Sequence, residues 1–202
     1  MSFFNKQELA GILTILLLIF VVSFISFQAS LRRGRDEQRI SDLDNLSRAL
    51  QQYHNSFGTY PPSLETGKIV ACKSDNPIPI PDELTEINDR YVFLLYDGRA
   101  CEWGEDPLAD YYGNTENFMD YLPIDPANDK GIAYVYISNG EEYQIFTHLE
   151  SQIKDKYDLG LEERNISCGT ALCNYGKGSG KLILEKVVDE YQNDIRDRLI
   201  VE

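Results

Sequence analysis

Apolar residues fill the N-terminal part of the chain almost without interruption. Residues 9–31 contain no charged side chain, and only Thr14, Ser23 and Ser26 break the apolar run over its first nineteen positions. A helix of that length spans about 28 Å, close to the hydrocarbon thickness of a bilayer. The pattern predicts a transmembrane helix at residues 9–31, preceded by a short leader or cytoplasmic segment at residues 1–8. A cleaved signal peptide is the alternative, although its apolar region is usually shorter.

The pattern changes directly after this run, to one apolar position every three or four residues. This spacing predicts an amphipathic helix over residues 32–55 that continues the transmembrane helix and buries one stripe. The stripe, which we predict to pack on the rest of the domain, consists of Ile40, Leu43, Leu46, Leu50 and Tyr53. Gly58, Pro61 and Pro62 then end the helix. We expect one nearly continuous rod, with Gly34 as the position where it bends.

Two segments further along the chain alternate in the manner of paired β-strands. Residues 131–137 and 142–149 flank the sequence Ser-Asn-Gly-Glu, in which Asn-Gly suits a tight hairpin turn. Residues 68–72 and 91–96 are two further strand candidates. A helix laid across a small antiparallel sheet buries the apolar face of each. The chain is therefore predicted to be an α+β protein, with its globular domain at residues 56–175.

The last part of the chain begins with a glycine-rich stretch, GKGSGK, at residues 176–181. It lacks the glycine spacing of a phosphate-binding loop, and Leu182 occupies the position of the Ser or Thr that would bind magnesium. We predict a flexible linker and then a C-terminal helix, together covering residues 176–202. The apolar stripe of that helix is expected to pack on the domain or to dock a partner.

The charge of the chain is strongly uneven. The net charge is −14, but residues 1–35 contain four basic residues and one acidic residue. The remainder holds 15 basic and 32 acidic residues, a net charge of −17. Such a domain repels nucleic acid, so we expect no direct nucleic-acid binding.

Four cysteines occur, without a Cys-x-x-Cys pair and without nearby histidines, which favours disulfides over a zinc site. Pairing Cys72 with Cys101 and Cys168 with Cys173 closes two local loops and is the pairing we expect, with buried free thiols as the alternative. Disulfides are typical of compartments outside the cytoplasm. The arginines that follow the apolar run, considered alone, favour a globular domain on the cytoplasmic side.

Residues that could carry chemistry are few. His54 and His148 are the only histidines, and we interpret both as structural or solvent-facing, so no catalytic or cofactor-binding residue is predicted. Asp125, Asn128 and Asp129 lie in one turn and offer oxygen ligands of the kind that calcium binds. A solvated acidic turn is the alternative, which leaves calcium as the only cofactor considered.

Three stretches in combination resemble a known protein family. Residues 32–64 follow the pattern RxxRDxQRxxDLxxLxxALxxYxxxxGxYPxSL, residues 122–128 read LPIDPAN, and residues 134–150 hold paired strands that end in Leu-Glu. Together they resemble the type IV pilin-like proteins, especially the pseudopilins of type II secretion systems. The resemblance covers about residues 4–150. It implies a non-enzymatic filament subunit that is made as an inner-membrane protein.

The family resemblance also implies a topology and partners. The N-terminus would be cytoplasmic, and the globular domain would be extracytoplasmic or part of a cell-surface filament. Its partners would be other pilin-like subunits, an inner-membrane assembly platform and, through residues 9–31, membrane lipid. The alternative is a single-pass, membrane-anchored binding or receptor domain that does not polymerise.

The N-terminal residues bear on processing and assembly. Members of the family are cut after a glycine by a prepilin peptidase, which leaves a methylated phenylalanine first and a glutamate fifth in the mature chain. Phe4 and Glu8 have this spacing, while Phe3 occupies the glycine position. The resemblance implies roles in processing and assembly for Phe4 and Glu8. For Glu8 the alternative is a water-facing residue at the end of a membrane helix.

Overall fold

The structure of the protein is a computed structural model, which describes residues 6–64, 67–74, 90–111, 117–151, 161 and 163–179. Its dominant element is helix α1, Lys6–Phe57, with 52 residues and a length of about 78 Å at 1.5 Å per residue. Gly34 does not interrupt this helix. Gly58 ends it in the left-handed conformation, with φ at 75°, and donates its N–H to the His54 carbonyl at 2.7 Å.

The other elements within the described residues are short. They are β1 (Val70–Lys73), α2 (Arg90–Asp97), β2 (Gly98–Ala100), a 3₁₀ turn (Asn128–Lys130), β3 (Val135–Ser138), β4 (Tyr143–Thr147), β5 (Ser167–Cys168), β6 (Ala171–Leu172) and β7 (Tyr175–Gly178). The strands form one three-stranded antiparallel sheet in the order β3-β4-β7 and two antiparallel pairs, β1-β2 and β5-β6. The protein is therefore α+β, as the sequence predicts.

The hairpin of β3 and β4 is the centre of the domain. Tyr136 lies opposite Ile145 and Ser138 opposite Tyr143, and the turn places Gly140 at a φ of 88°. This position requires the glycine of the Asn-Gly pair. The predicted hairpin is thereby confirmed, with strands somewhat shorter than the apolar segments.

Both faces of this sheet are buried. One face packs on α1 and forms the main core, in which Tyr134, Tyr136, Tyr143 and Ile145 meet the helix stripe. The other face carries Ile137 and Phe146 and is covered by a second cluster: Leu161, Ile166, Cys168 and Cys173. The sheet thus lies between the rod and the disulfide-bonded segment that follows β4.

The prediction of a strand at residues 91–96 is wrong, because this segment belongs to helix α2. Tyr91 and Leu94 are both buried, and their spacing of three places them on one helical face. The chain then turns into β2 at Gly98, where a Cβ would lie 2.5 Å from the Leu94 carbonyl oxygen. Only glycine permits that approach, and this packing decides between helix and strand.

The prediction of a linker beginning at residue 176 is also wrong in its first part, since β7 covers Tyr175–Gly178 and pairs with β4. A Cβ on Gly176 would lie 2.6 Å from Cδ1 of Phe146. The absent side chain lets the backbone approach the aromatic ring and complete the sheet. The predicted C-terminal helix lies outside the described residues.

Candidate functional site

The N-terminal half of α1 exposes its apolar surface. Every large apolar side chain from Ile12 to Leu31 is exposed, and Phe20, with 67% of its surface accessible, is the extreme case. The helix is long and apolar enough to cross a membrane. An unburied apolar surface of this length is stable only in lipid or against other apolar helices.

The C-terminal half of the same helix buries one stripe. Leu43, Leu46, Leu50 and Tyr53 have no accessible surface, whereas Ile40 is only partly buried. Counting back from Leu43 at helical spacing leads to Arg39 and Asp36, and both are completely buried. The buried stripe therefore continues towards the apolar half of the helix through two charged residues.

The hairpin tyrosines attach the sheet to this stripe. The Tyr134 hydroxyl donates to Asp42 at 2.7 Å, and the Tyr143 and Ser47 hydroxyls are 2.6 Å apart. Tyr136 donates to the Pro61 carbonyl at 2.8 Å, just beyond the end of the helix. Each aromatic body fills the core while its hydroxyl is satisfied, as buried tyrosines require.

Arg39 is the centre of a buried ion network. It donates two parallel hydrogen bonds to Asp125, from Nε to Oδ2 at 2.8 Å and from Nη2 to Oδ1 at 2.9 Å. Its Nη1 donates to Asp36 at 2.9 Å and to Glu150 at 3.0 Å. Burial disfavours the charge of Arg39, but its hydrogen bonds to Asp125 raise its pKa above the ordinary value. The guanidinium therefore stays charged and holds three carboxylates.

Asp36 connects α1 to the chain that leaves the sheet after β4. Its Oδ1 accepts the Glu150 N–H and its Oδ2 accepts the Ser151 N–H, both at 2.8 Å, and the Ser151 hydroxyl donates to Oδ2 as well. Asp125 is oriented in turn by the Ala127 N–H, which donates to Oδ1 at 2.8 Å. Two loops of the domain are thus hydrogen-bonded to one turn of the helix.

Arg35 closes the network on the side of the solvent. Its Nε and Nη2 donate to the two oxygens of Glu150 at 2.6 Å and 2.5 Å. Hydrogen bonds from Arg35 lower the pKa of Glu150 to about 2, with a further contribution from Arg39. Glu150 is therefore ionised at any physiological pH.

We call Arg35, Asp36, Arg39, Asp125 and Glu150 the junction network. The network lies one to two helical turns after the end of the apolar run at Leu31. Removing one member of a buried ion network leaves the remaining charges buried without a counter-charge, which costs several kcal/mol of stability. The network therefore specifies one rotation and one height of the globular domain relative to the apolar half of the helix.

The two disulfides have the expected local pairing. Cys72 bonds Cys101, linking β1 to the residue after β2, and Cys168 bonds Cys173 across the β5-β6 pair. Asp106 lies near the first disulfide in an arrangement that resembles a metal site. Disulfide sulfurs are not thiolates, so these two cysteines are not available as metal ligands.

The three calcium candidates differ in burial and in hydrogen bonding. Asp125 is buried and both of its oxygens accept from Arg39, whereas Asn128 and Asp129 are exposed in the 3₁₀ turn. A cation at Asp125 would have to displace the guanidinium. The geometry thus gives Asp125 a structural role, and among the described residues the one group of His, Cys, Asp and Glu side chains close enough to share a metal ion does not include Asp129.

The other residues considered from sequence have structural surroundings. The His54 ring lies 4.4 Å from the Tyr60 ring, and His148 Nδ1 lies 2.7 Å from the Leu172 carbonyl oxygen. In the glycine-rich stretch, Ser179 accepts the Tyr143 N–H at 3.1 Å and so continues the sheet edge. Phe4 lies outside the described residues, and Glu8 lies in the first turns of α1.

No family model, curated protein or solved structure matches this chain. The junction network was not predicted as a site, although all five of its residues lie in the three stretches that carry the family resemblance. The signal was available: Asp36 and Arg39 continue the series of buried positions at spacings of three and four. A charged pair at apolar positions indicates a buried partner elsewhere in the chain.

Proposed function

We propose that this protein is a non-enzymatic, pilin-like structural subunit, a pseudopilin or minor pilin, of a type II secretion or type IV pilus-like filament. The observation that carries the proposal is the junction network on an unbroken helix. It couples a fully exposed apolar rod to a globular domain in one fixed orientation. A filament needs this coupling, because the packing of the rods determines where each domain lies on the surface.

The exposed half of α1 provides the driving force for assembly. In the membrane its leucine, isoleucine, valine and phenylalanine side chains contact lipid. After extraction, rods from neighbouring subunits would cover one another. Covering about 500 Å² of apolar surface is worth roughly 12 kcal/mol relative to water. Assembly outside the bilayer is then self-sustaining once a motor of the assembly platform extracts the subunit.

The disulfides support an extracytoplasmic domain and a cytoplasmic N-terminus. Two intact bonds in a small domain are typical of oxidising compartments. This argument opposes the orientation that the arginines after the span favour. We give the disulfides more weight, because Arg35 is engaged with Glu150 and so has a role within the fold.

Fractionation of native cells tests the proposal. Cell-surface filaments are sheared from cells, and the chain is sought in the sheared fraction by mass spectrometry together with the sequence of its N-terminus. We expect the chain in sheared filaments, with a methylated Phe4 if the peptidase processes it. A chain that stays in the membrane fraction and is monomeric after mild detergent extraction would instead support a non-polymerising receptor.

A further inference from the structure

Two loops of the globular domain form an exposed surface that is both apolar and acidic. Tyr121 and Ile124 are exposed, with 69% and 45% of their surfaces accessible, and Glu105 and Asp120 are exposed acids. We call these four residues the edge surface. Exposed tyrosine and isoleucine next to carboxylates are typical of a binding surface with a preference for basic partners.

Backbone hydrogen bonds hold the two loops of the edge surface together. Gly104 donates its N–H to the Leu122 carbonyl at 2.8 Å, and Leu122 donates to the Asp106 carbonyl at 2.7 Å. Ile124 lies so close to Gly104 that a Cβ at this glycine would be 3.1 Å from the Ile124 Cβ. The surface is thus preformed.

The junction network fixes the height of the edge surface above the membrane. Ile124 immediately precedes Asp125, which is bonded to Arg39 of the rod. Arg33 lies six residues before Arg39 on the same helix, or about 9 Å closer to the membrane. A second rod displaced outwards by that distance brings its own Arg33 level with the edge surface of the first.

The start of the amphipathic half of α1 has the complementary character. Leu31, Arg32 and Arg33 are exposed, and we call them the basic step. Arg35 and Arg39 pair with acids of their own domain, but within the described part of the chain no ion pair involves Arg32 or Arg33. The same holds there for Glu105 and Asp120. The two surfaces carry opposite charges, and each has exposed apolar surface that the other can cover.

We propose that the edge surface of one copy binds the basic step of a second copy, displaced by about 9 Å along the rod axis. The carboxylates of Glu105 and Asp120 pair with the two guanidiniums, while Tyr121 and Ile124 cover Leu31. This inference rests on the proposed function, since it describes how two subunits meet. It predicts an axial stagger that the apolar rods alone do not specify.

Charge reversal with photo-cross-linking tests this contact in cells that express the complete assembly machinery, because the displacement of about 9 Å arises when subunits leave the membrane for the filament. A photoreactive amino acid replaces Ile124, and the yield of copy-to-copy adducts is measured. We expect Glu105→Arg with Asp120→Arg to lower that yield by about tenfold, because each exposed pair is modest but reversal also adds repulsion. Arg32→Glu with Arg33→Glu should lower the adduct yield to a similar extent. Combining all four substitutions should restore the yield.

Glu163→Arg is the matched control, since it reverses an exposed acid on the segment that covers the other sheet face. An unchanged yield in the Glu105 and Asp120 variant would overturn the inference. So would a loss on reversing the arginines that the combined variant does not repair, which would identify lipid phosphate as their partner. If the chain is present in sheared filaments in either case, only this inference fails; absence from filaments contradicts the proposed function instead.

Discussion

The two halves of α1 share one backbone geometry and differ in everything that surrounds it. The first half is apolar on every side and exposed, so it has no preferred rotation about its axis. The second half buries Leu43, Leu46, Leu50 and Tyr53 and therefore has one preferred rotation about its axis. Between them lie Arg39 and Asp36, which are buried without being apolar. The comparison shows that the boundary between the halves is marked by buried charge.

A physical reason for charge at this boundary follows from the neighbouring apolar half, which is long and apolar enough to cross a membrane. If the stripe continued towards the membrane with leucines, nothing would distinguish its first turn from the apolar rod. The domain could then bind one turn lower, or the turn could enter the bilayer. Burying Arg39 with Asp36 and Asp125 rules out both alternatives, because each would separate ionised partners in a low-dielectric environment.

The largest expected effect comes from removing the guanidinium at the centre of the junction network. Arg39→Ala leaves Asp36 and Asp125 buried without their cation, and we expect it to lower the free energy of unfolding by about 3–5 kcal/mol. Urea titration in detergent measures this, with the fluorescence of Trp103, which packs on Tyr134, as the probe. Arg48→Ala, at an exposed position of the same helix, is the control and should change stability by less than about 0.5 kcal/mol. Equal effects of the two variants would refute the role of the network.

A leucine in each half compares the two halves directly. Leu46→Ala leaves a cavity in the core and should destabilise the domain by about 2–5 kcal/mol. Leu18→Ala removes the same atoms from an exposed position of the rod, so the urea midpoint should not move. A comparable loss in both variants would mean that the apolar half also packs on its own domain.

Acid weakens the junction through Glu150. The folded-state pKa of Glu150 is about 2, below its ordinary value of 4.5. Its contribution to stability is therefore complete above about pH 4.5 and is lost as the pH falls from there through 2. Unfolding midpoints over this range should fall less steeply in Glu150→Gln than in the unmodified chain. Glu102→Gln, in an exposed pair with Lys68, should keep the steeper decline.

Two glycines provide the smallest and most closely matched test. Gly34→Ala in the rod meets nothing within 4 Å and should stabilise the helix by about 0.5–1 kcal/mol, because alanine is the better helix former. Gly176→Ala places a Cβ against the Phe146 ring and should destabilise the domain. Thermal melting of both variants measures the difference in sign. A stabilised Gly176→Ala would contradict the pairing of β7 with β4.

Local patterns predicted those parts of the fold that depend on local interactions. The helix stripe, the Asn-Gly hairpin and the two disulfides follow from spacing and turn chemistry within short segments. Ile40 was assigned to the stripe because apolar residues were counted, whereas the buried position is Arg39. Its burial depends on Asp125, which is 86 residues away in the chain. No periodicity encodes that separation.

The two wrong predictions have the same origin. Residues 91–96 form a continuous run of apolar and aromatic residues that suits a buried strand. The tight approach at Gly98 and the burial of Tyr91 and Leu94 on one face instead belong to a helix. The start of the glycine-rich stretch has no apolar side chain to pack, and yet Gly176 lies in the sheet, where its missing side chain leaves room for the Phe146 ring. Composition predicts a flexible linker for such a stretch, whereas the long-range contact with Phe146 places its start in a β-strand.

The most direct test of the central claim asks what the exposed half of α1 contacts in the cell. A photoreactive amino acid in place of Phe24, in the middle of that half, is activated in cells that express the complete assembly machinery. We predict protein adducts with a second copy or another pilin-like subunit, recovered in sheared filaments. Lipid adducts alone, in cells whose filaments are intact, would contradict the account and leave the rod as a simple membrane anchor.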